Sequence, residues 1–370
     1  MVNLFSQHQK LEKELLAAIQ QVISSSAFIK GPEVAIFEKN LAEFLGVSQV
    51  IGCANGTDAL QIALMALELQ PGDEVIVPAF TYVATAEVIA LLGLVPVMVE
   101  VEEDTFNISL PGIAAAITLR TRAIIPVHLF GQCSDMEPLM LLAEAHQLYV
   151  IEDNAQSLGA EYRFKDGTLQ KAGTIGHIGT TSFFPTKNLG CMGDGGAILT
   201  NHPALAEKIR MIANHGQKKK YYHEVVGCNS RLDTLQAAIL NVKLPHLGTY
   251  LDARKAAGEH YQNRLQNFAY GKLPVSLPAA SPTYNQFTLR IADGKRDQLK
   301  EYLASKGIPS MIYYPLPLYK QKAFSKYVPA GFSLPVTEKL CASVLSLPIH
   351  TEMTTGELDH ISEMVMAFGG

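Results

Sequence analysis

The feature that most constrains the fold is an alternation of compact apolar segments and helical stretches between about residues 48 and 200. The apolar segments are short and rich in valine and isoleucine, and they cover residues 74–77, 95–99, 123–127 and 148–151. Short apolar runs separated by segments of helical length are typical of repeating strand–helix units. Such units form a mainly parallel sheet that is covered by helices. The sequence therefore predicts an α/β fold for this part of the chain.

The flanking segments predict a helix before this region and a second domain after it. Apolar residues recur at helical spacing over residues 8–24, which predicts an amphipathic helix. After a break near Pro245 we expect a long helix, a loop, a strand and a further helix, at residues 248–267, 271–282, 286–291 and 296–306. A chain of 370 residues is long enough for two domains. We predict a large domain over 1–245 and a linking helix with a small α+β domain over 246–370.

Asp153 is the first candidate for a functional residue. It ends the apolar run Leu148-Tyr149-Val150-Ile151-Glu152-Asp153, which is typical of a buried parallel strand. Ligands of open α/β sheets bind outside the carboxyl ends of the strands, where a carboxylate can pair with a protonated pyridine nitrogen. The alternative is that Asp153 caps the segment that follows it.

A possible anion site begins at Gly56 and Thr57. These residues follow Asn55 and precede an apolar helical run that contains Leu60 and Leu64. The free N–H groups at the start of a helix attract a phosphate, and the Thr57 hydroxyl can add a hydrogen bond. Glycine and threonine are common before helices, so this segment carries little weight alone.

Lys187 supplies the third element. It lies in Ser182-Phe183-Phe184-Pro185-Thr186-Lys187-Asn188-Leu189-Gly190, among apolar and hydroxyl-bearing neighbours. Desolvation disfavours the charged form of a lysine, and its free amine can then form a Schiff base with an aldehyde. The alternative is an ordinary solvated lysine. A phosphate site, a carboxylate for a pyridine and an amine for an aldehyde are the groups that pyridoxal phosphate requires.

These three segments and their neighbours resemble the fold-type I pyridoxal phosphate aminotransferases of the DegT/DnrJ family, which act on nucleotide-linked keto-sugars. The resemblance extends from about Phe28 to His350. The matching segments, in chain order, are Gly31-Pro32-Glu33, Phe37-Glu38, Asn55 to Leu60, Gly72 to Ile76, Pro78 to Tyr82, Glu152 to Gln156, Ser182 to Lys187, Gly193 to Ala197 and Gly227 to Asp233. The resemblance implies a seven-stranded, mainly parallel sheet in the large domain and a small C-terminal α+β domain.

The resemblance also implies roles for individual residues. Lys187 would bond to the cofactor and later move a proton, and Asp153 would hold the pyridine nitrogen. Tyr82 would stack on the cofactor ring, and Gln156 would lie near its phenolic oxygen or ring face. The phosphate would be held by Gly56, Thr57 and Ser182, with Asn229 reaching it from a neighbouring subunit. The functional unit would then be a homodimer with a shared active site.

For the substrate, the resemblance implies L-glutamate as the amino donor and a nucleotide-linked keto-sugar as the acceptor. The segments around His215, Tyr221, Asn229 and Ile312 look most like the branch that aminates carbon 3 of UDP-2-acetamido-2-deoxy-3-oxo-glucuronate, for polysaccharide or O-antigen synthesis. An arginine can clamp a uronate carboxylate, and Arg231 is the candidate, although it can equally be a structural arginine.

Two further groups of residues enter as possible substrate contacts. Tyr313 and Tyr314 are assigned to the substrate, although many family members carry histidine and tyrosine there. The run Lys218-Lys219-Lys220, and Lys30 more faintly, suggest pyrophosphate binding, and a solvated loop is the alternative for the run.

Several alternative functions stay open at this point. Another keto-sugar, such as a dTDP-3-oxo or 4-oxo-6-deoxyhexose, would need the same residues, and a decarboxylase or desulfurase would need the same cofactor site without a UDP site. The related dehydratases carry histidine in place of the lysine, so the presence of Lys187 argues against that activity. A non-catalytic regulatory or assembly protein that binds pyridoxal phosphate is the alternative of another class.

Composition excludes other classes of function. A net charge of −5 and 48% hydrophobic residues suit a globular protein, give no basis for nucleic-acid binding and leave no apolar run of membrane-spanning length. The five cysteines are scattered and no histidine spacing suits a metal, so we expect neither disulfides nor a catalytic metal. The first residues lack a secretory pattern, from which we expect a cytoplasmic protein.

Overall fold

The computed structural model describes residues 2–369, and its regular elements follow the alternation expected from the sequence. The helices are α1 Leu4–Ser25, α2 Pro32–Leu45, α3 Gly56–Ala66, α4 Ala84–Leu91, α5 Leu110–Ala116, α6 Met136–Ala145, α7 Pro203–Ile212, α8 Thr234–Lys243, α9 Leu247–Leu265, α10 Arg296–Ser305, α11 Pro335–Ser343 and α12 Thr355–Met366. The strands are β1 Gln49–Cys53, β2 Glu74–Pro78, β3 Val95–Val99, β4 Thr121–Ile124, β5 Tyr149–Asp153, β6 Glu161–Arg163, β7 Leu169–Lys171, β8 Ile178–Ser182, β9 Gly196–Thr200, β10 Gln217–Lys219, β11 Tyr222–His223, β12 Gly271–Lys272, β13 Ala280–Ser281, β14 Phe287–Ile291 and β15 Val344–Leu347.

The main sheet has seven strands in the order β1-β9-β8-β5-β4-β2-β3. Neighbours from β8 to β3 pair in parallel, and β9 runs antiparallel to both β1 and β8. Strand β1 therefore points in the same direction as β8. The mainly parallel sheet that the sequence predicts is confirmed, with one antiparallel strand inside it.

Both faces of the sheet are buried, which explains why its strands are continuous apolar runs rather than alternating ones. Val75 and Val77 pack with α3, α4 and α7 on one face, whereas Ile76 packs with α5 and α6 on the other. In β5, Ile151 packs on the first of these faces and Val150 packs on the second. Side chains alternate along a strand, so a strand covered on both sides needs apolar residues at every position.

The C-terminal part has a core of its own. Strands β12, β14 and β15 form an antiparallel sheet that packs with α9, α10 and α12 through Tyr261, Phe287, Leu303 and Val365. Leu318, Tyr319 and Phe324 instead pack into the core beside α3 and α4 of the first part. The boundary between the two predicted domains, 1–245 and 246–370, stays a prediction.

The predicted helices and strands mostly agree with the structure, and the differences have local causes. The N-terminal helix is confirmed, and Leu11, Leu15 and Val22 are its buried residues. The strand predicted over 123–127 ends at Ile124, because Pro126 has no N–H group for the ladder. The predicted loop over 271–282 contains the short strands β12 and β13. Within residues 2–369 no helix combines the length and the apolar character that crossing a membrane requires.

Candidate active site

The carboxyl ends of neighbouring strands bring the three predicted segments to one edge of the sheet. Asp153 is the last residue of β5, and Ser182 is the last residue of the adjacent β8. Helix α3 begins three residues after β1 ends at Cys53. A Cβ atom at Gly56 would lie 2.7 Å from Cβ of Ser182, so only a glycine allows the start of α3 to approach β8 this closely.

The start of α3 has the arrangement of an anion site. The Asn55 side chain caps the helix by accepting a hydrogen bond from Asp58 N at 2.8 Å. Helix geometry leaves the N–H groups of Gly56 and Thr57 without intrahelical acceptors, at the positive end of the helix dipole. Ser182 Oγ accepts a hydrogen bond from Phe184 N at 3.2 Å, which leaves its hydroxyl proton free to donate. Three of the four predicted phosphate contacts, Gly56, Thr57 and Ser182, therefore lie together.

Asp153 is buried and its carboxylate is oriented by two donors. Thr85 Oγ1 donates to Oδ2 at 2.8 Å, and Ala155 N donates to Oδ1 at 3.2 Å. Thr85 is completely buried in the first turn of α4. No sequence pattern marks Thr85, since a threonine 68 residues upstream of the aspartate belongs to no motif. Its hydrogen bond fixes the rotamer of Asp153 and leaves lone pairs on both carboxylate oxygens for another donor.

The neighbouring Glu152 anchors this strand end from the other side. Its carboxylate accepts hydrogen bonds from Gly173 N, Ile175 N and Gly176 N at 2.6–2.8 Å, and it contacts Nε2 of the buried His128 at 2.7 Å. His128, Cys133 and Glu152 lie close enough together to suggest a metal site. However, Ser134 N already donates to Nδ1 of His128. These donors and acceptors satisfy one another, so the group is best explained as a structural network.

Lys187 has the electrostatic environment of an amine nucleophile. Its side chain is partly exposed, but the surrounding protein desolvates the amine and lowers its pKa from 10.5 to about 8. The negative charge of Asp153 acts in the opposite direction and offsets part of this effect. Next to it, Asn188 Nδ2 donates to Leu158 O at 3.1 Å and to Thr283 Oγ1 at 3.0 Å, which anchors the loop. The ordinary surface lysine considered as the alternative does not describe this position.

Gln156 and the tyrosines form the wall beside Asp153. Gln156 Oε1 accepts from Phe130 N at 2.7 Å, and its Nε2 donates to the Tyr314 hydroxyl at 3.1 Å. The ring centroids of Tyr314 and Tyr82 are 6.3 Å apart, and Tyr82 is 57% exposed, so its ring face is available to a ligand. Burial raises the pKa of both Tyr313 and Tyr314, which keeps their hydroxyls protonated. The roles predicted for Tyr82 and Gln156 stay predictions.

Asn229 and Arg231 lie on a separate segment. Asn229 is exposed, and Ser230 beside it accepts a hydrogen bond from Ala54 N at 3.1 Å, two residues before Gly56. Arg231 is partly exposed, and together with burial, which is the larger effect, its charge lowers the pKa of Lys30. Lys30 and Arg231 therefore form a small cationic pair. The roles of Asn229 and Arg231 stay predictions.

These residues fit pyridoxal phosphate. The anion site at α3 suits its phosphate, the oriented Asp153 carboxylate suits its pyridine nitrogen, and the Lys187 amine suits its aldehyde. The exposed ring of Tyr82 can stack on it. A site of this kind, at the carboxyl edge of a mainly parallel sheet, is that of a pyridoxal phosphate-dependent enzyme.

Comparison with known proteins defines the family. The family model of the DegT/DnrJ/EryC1/StrS aminotransferase family matches residues 9–366. A pleiotropic regulatory protein of Geobacillus stearothermophilus is 44% identical, over 100% of this chain and 98% of its own length. A UDP-N-acetyl-3-dehydro-alpha-D-glucosamine 3-aminotransferase of Acidithiobacillus ferrooxidans is 43% identical, over 99% and 96%. A UDP-2-acetamido-2-deoxy-3-oxo-D-glucuronate aminotransferase of Pseudomonas aeruginosa is 44% identical, over 96% of each.

The chain belongs to the DegT/DnrJ/EryC1/StrS aminotransferase family. It is accordingly an aminotransferase whose cofactor is pyridoxal 5′-phosphate. The solved structure of NtdA from Bacillus subtilis, which is similar to this chain with 33% identity and a TM-score of 0.88 over 96% of this chain and 81% of its own, contains the amine form of the cofactor. The fold class, the cofactor and the class of enzyme expected from the sequence are thereby confirmed.

The lowered pKa of Lys187 predicts a pH-dependent stability in the cofactor-free protein. Below a pH of about 8 the folded chain keeps a charged amine at a cost, whereas the unfolded chain keeps its proton up to about 10.5. Between these values the unfolded state binds more protons, so the wild-type protein becomes more stable as pH rises. We expect Lys187→Met to be more stable than wild type near pH 7, with a gap that narrows from pH 8 to 10.5.

Urea unfolding at a series of pH values measures this gap. The exposed Lys255, mutated to methionine, provides the matched control, for which we expect a small and constant difference from wild type. A constant gap for Lys187→Met would mean that the amine is not desolvated in the folded protein.

Proposed function

We propose that this protein transfers the amino group of L-glutamate to carbon 3 of a UDP-linked 2-acetamido-3-oxo sugar, and that the sugar is the glucuronate. The observation that carries the aminotransferase step is the Lys187 amine, whose pKa is lowered to about 8, at the same sheet edge as the oriented Asp153 carboxylate. The printed activities of the Acidithiobacillus and Pseudomonas relatives support a 3-oxo UDP sugar.

The chemistry divides among the protein groups at this edge. When bound, pyridoxal phosphate supplies an aldehyde and a ring that withdraws electrons. The lowered pKa of Lys187 gives it a larger neutral fraction near physiological pH than an ordinary lysine has, and the amine can then hold and return the proton of the substrate carbon. Asp153, oriented by Thr85, would offer its carboxylate to the ring nitrogen. Gly56 N–H, Thr57 N–H and the Ser182 hydroxyl bind the phosphate, which fixes the position of the ring.

Arg231 is proposed to recognise the sugar. The pairing of Arg231 with Lys30 places two positive charges close together, and neither forms an ion pair with a carboxylate of residues 2–369. An anionic group, such as a uronate carboxylate or a pyrophosphate, would relieve their repulsion. Tyr313 and Tyr314 keep protonated hydroxyls and are proposed as further contacts to the sugar.

The triple-lysine run is a weaker candidate for pyrophosphate binding. Lys218 is already paired with Glu207. Lys219 and Lys220 lie over the rings of Tyr222 and Tyr221 at 5.2 and 5.1 Å from the ring centroids. These contacts engage all three cations, so we assign the run no primary role in the proposal.

A homodimer completes the proposal. Asn229 is exposed in the isolated chain, and the nearby Tyr221, Tyr222 and Val226 are 78%, 64% and 86% exposed. An apolar, aromatic surface of this kind suits a partner subunit. We propose that Asn229 reaches the phosphate site of that subunit. A cytoplasmic location and a role in polysaccharide or O-antigen synthesis belong to the same proposal.

Two alternatives are kept. The same residues could serve another keto-sugar, such as a dTDP-3-oxo or 4-oxo-6-deoxyhexose. The name of the Geobacillus relative supports a regulatory role in addition to the aminotransferase activity.

The absorbance spectrum tests the first half-reaction. Glutamate should remove the visible band of the cofactor-loaded wild-type protein and produce the near-ultraviolet band of the amine form. Lys187→Ala should fold, bind cofactor without the lysine bond and lose turnover by at least about 10⁴-fold. A visible band that glutamate does not change would contradict glutamate as the donor, and substantial turnover by Lys187→Ala would remove the central assignment.

Substitution of Arg231 tests the uronate. Loss of a charge-assisted clamp costs about 1.5–3 kcal/mol, so Arg231→Met should raise KM for the 3-oxo-glucuronate about 10- to 100-fold. KM for the neutral 3-oxo-glucosamine analogue should change little. Arg163→Met, at an exposed position on β6, is the control. Equal effects on both sugars would favour a pyrophosphate contact or a structural role for Arg231.

Mixed dimers test the shared site. Lys187→Ala and Asn229→Asp should each be inactive or nearly so, the second because a carboxylate repels the phosphate. After co-refolding, the mixed dimer contains one site with a native Lys187 and a native partner Asn229. Random association makes about half of the dimers mixed, and each mixed dimer has one active site of its two. We therefore expect about a quarter of wild-type activity. Activity that does not exceed the sum of the separate variants would indicate that Asn229 does not act across the dimer.

A further inference from the structure

Lys243 is a buried lysine that the proposed reaction does not use. It ends α8 and is 1% exposed. No carboxylate among residues 2–369 forms an ion pair with it; its partners are neutral. Burial lowers its pKa to about 8. A buried amine without a counter-ion costs free energy, and its two hydrogen bonds offset part of that cost.

One of these hydrogen bonds ends on the loop that carries Lys187. Lys243 Nζ donates to the carbonyl of Gly190 at 2.7 Å, three residues beyond Lys187. This carbonyl belongs to the closed turn 183–191, in which Lys187 N donates to Phe184 O at 2.9 Å and Cys191 N donates to Phe183 O at 2.8 Å. A Cβ at position 190 would lie 2.3 Å from Pro185 O, so only glycine allows the turn to close this tightly.

The other hydrogen bond of Lys243 reaches the N-terminal helix. Its Nζ lies 2.9 Å from Nε2 of His8 in α1, which makes that ring nitrogen the acceptor. Helix α1 packs on α8 through Leu11, Leu15 and Ile239. One ammonium group therefore connects α1, α8 and the Lys187 turn, three elements that are far apart in the sequence.

We propose that Lys243 is a positioning residue that holds the 183–191 turn by the Gly190 carbonyl and couples its geometry to the docking of α1 through His8. The turn is anchored at Asn188 and at Gly190, one and three residues beyond Lys187. Without the second anchor, the turn would keep its internal hydrogen bonds but lose its fixed orientation to the sheet. The functional meaning rests on the proposed role of Lys187, whereas the mechanical coupling does not.

Hydrogen exchange of the cofactor-free protein tests the coupling without any catalytic readout. We expect Lys243→Met, which keeps the length and removes the donor, to speed exchange over 184–191 at least about tenfold. Exchange in the central strands β4 and β5 should stay unchanged. Lys255→Met, at an exposed position of α9, is the control and should leave both regions at wild-type rates.

A second variant separates the coupling from simple loss of stability. His8→Leu leaves Lys243 and its bond to Gly190 in place but removes the acceptor on α1, and we expect faster exchange in both α1 and 184–191. Two results would overturn the proposal: wild-type exchange over 184–191 in Lys243→Met, or a His8→Leu effect confined to α1. If Lys243→Met does not fold, the His8→Leu result decides alone.

A spectroscopic measurement links the coupling to the cofactor. In the loaded protein, Lys243→Met should shift the pH midpoint of the visible absorbance band, because that band reports the proton on the Lys187 nitrogen. An unchanged midpoint together with faster exchange would restrict the coupling to the cofactor-free state and overturn its functional part. Failure of glutamate to act on the wild-type protein would contradict the proposed function and leave the exchange result intact.

Discussion

The interaction on which the site depends is the desolvation of Lys187 opposite a single fixed charge. Removal of the amine from water lowers its pKa to about 8, and the Asp153 carboxylate limits the size of that shift. Without the opposing effect of Asp153, burial would lower the pKa of Lys187 further, and the amine would lose its proton at a lower pH. It could then no longer return a proton to the substrate. If the carboxylate were closer and solvent more accessible, the amine would stay charged and would not attack an aldehyde. The sheet edge provides both effects because β5 and β8 are neighbours.

Charged groups beside the site are restrained by hydrogen bonds rather than by opposite charges. Asp153 is oriented by a threonine hydroxyl and a backbone amide, and Glu152 by three amides and a histidine. Lys243 has only a carbonyl and a neutral ring as partners. Neutral donors fix the direction of a charged group without cancelling its field, so the carboxylate of Asp153 can act on a group bound at this edge of the sheet.

Sequence patterns were sufficient for the residues that strand ends and helix starts deliver. Asp153, Gly56 and Thr57 each follow from an apolar run that ends or a helix that begins, and parallel strands bring such ends together. Ser182 ends the mostly polar strand β8, and its role was predicted from the resemblance. Thr85 and Lys243 could not be found in this way, because their roles depend on partners 68 and 53 residues distant. Nothing in a local pattern distinguishes a threonine that orients a carboxylate from one that simply fills a helix turn. The roles predicted for Asn229 and Arg231 come from the resemblance to the family and not from a local sequence pattern.

The two lysines of lowered pKa illustrate why burial alone does not define a catalytic residue. Both Lys187 and Lys243 have their pKa lowered to about 8 by desolvation, so their titration behaviour does not distinguish them. Their partners do. Lys243 donates to Gly190 O and His8, and its remaining surroundings are closed, whereas Lys187 is partly exposed at an edge that offers a carboxylate and free helix amides. A nucleophile needs an unengaged lone pair and access to an electrophile, and only Lys187 has both. Lys243, whose amine is hydrogen-bonded, is thus suited to hold the turn that carries the reactive Lys187.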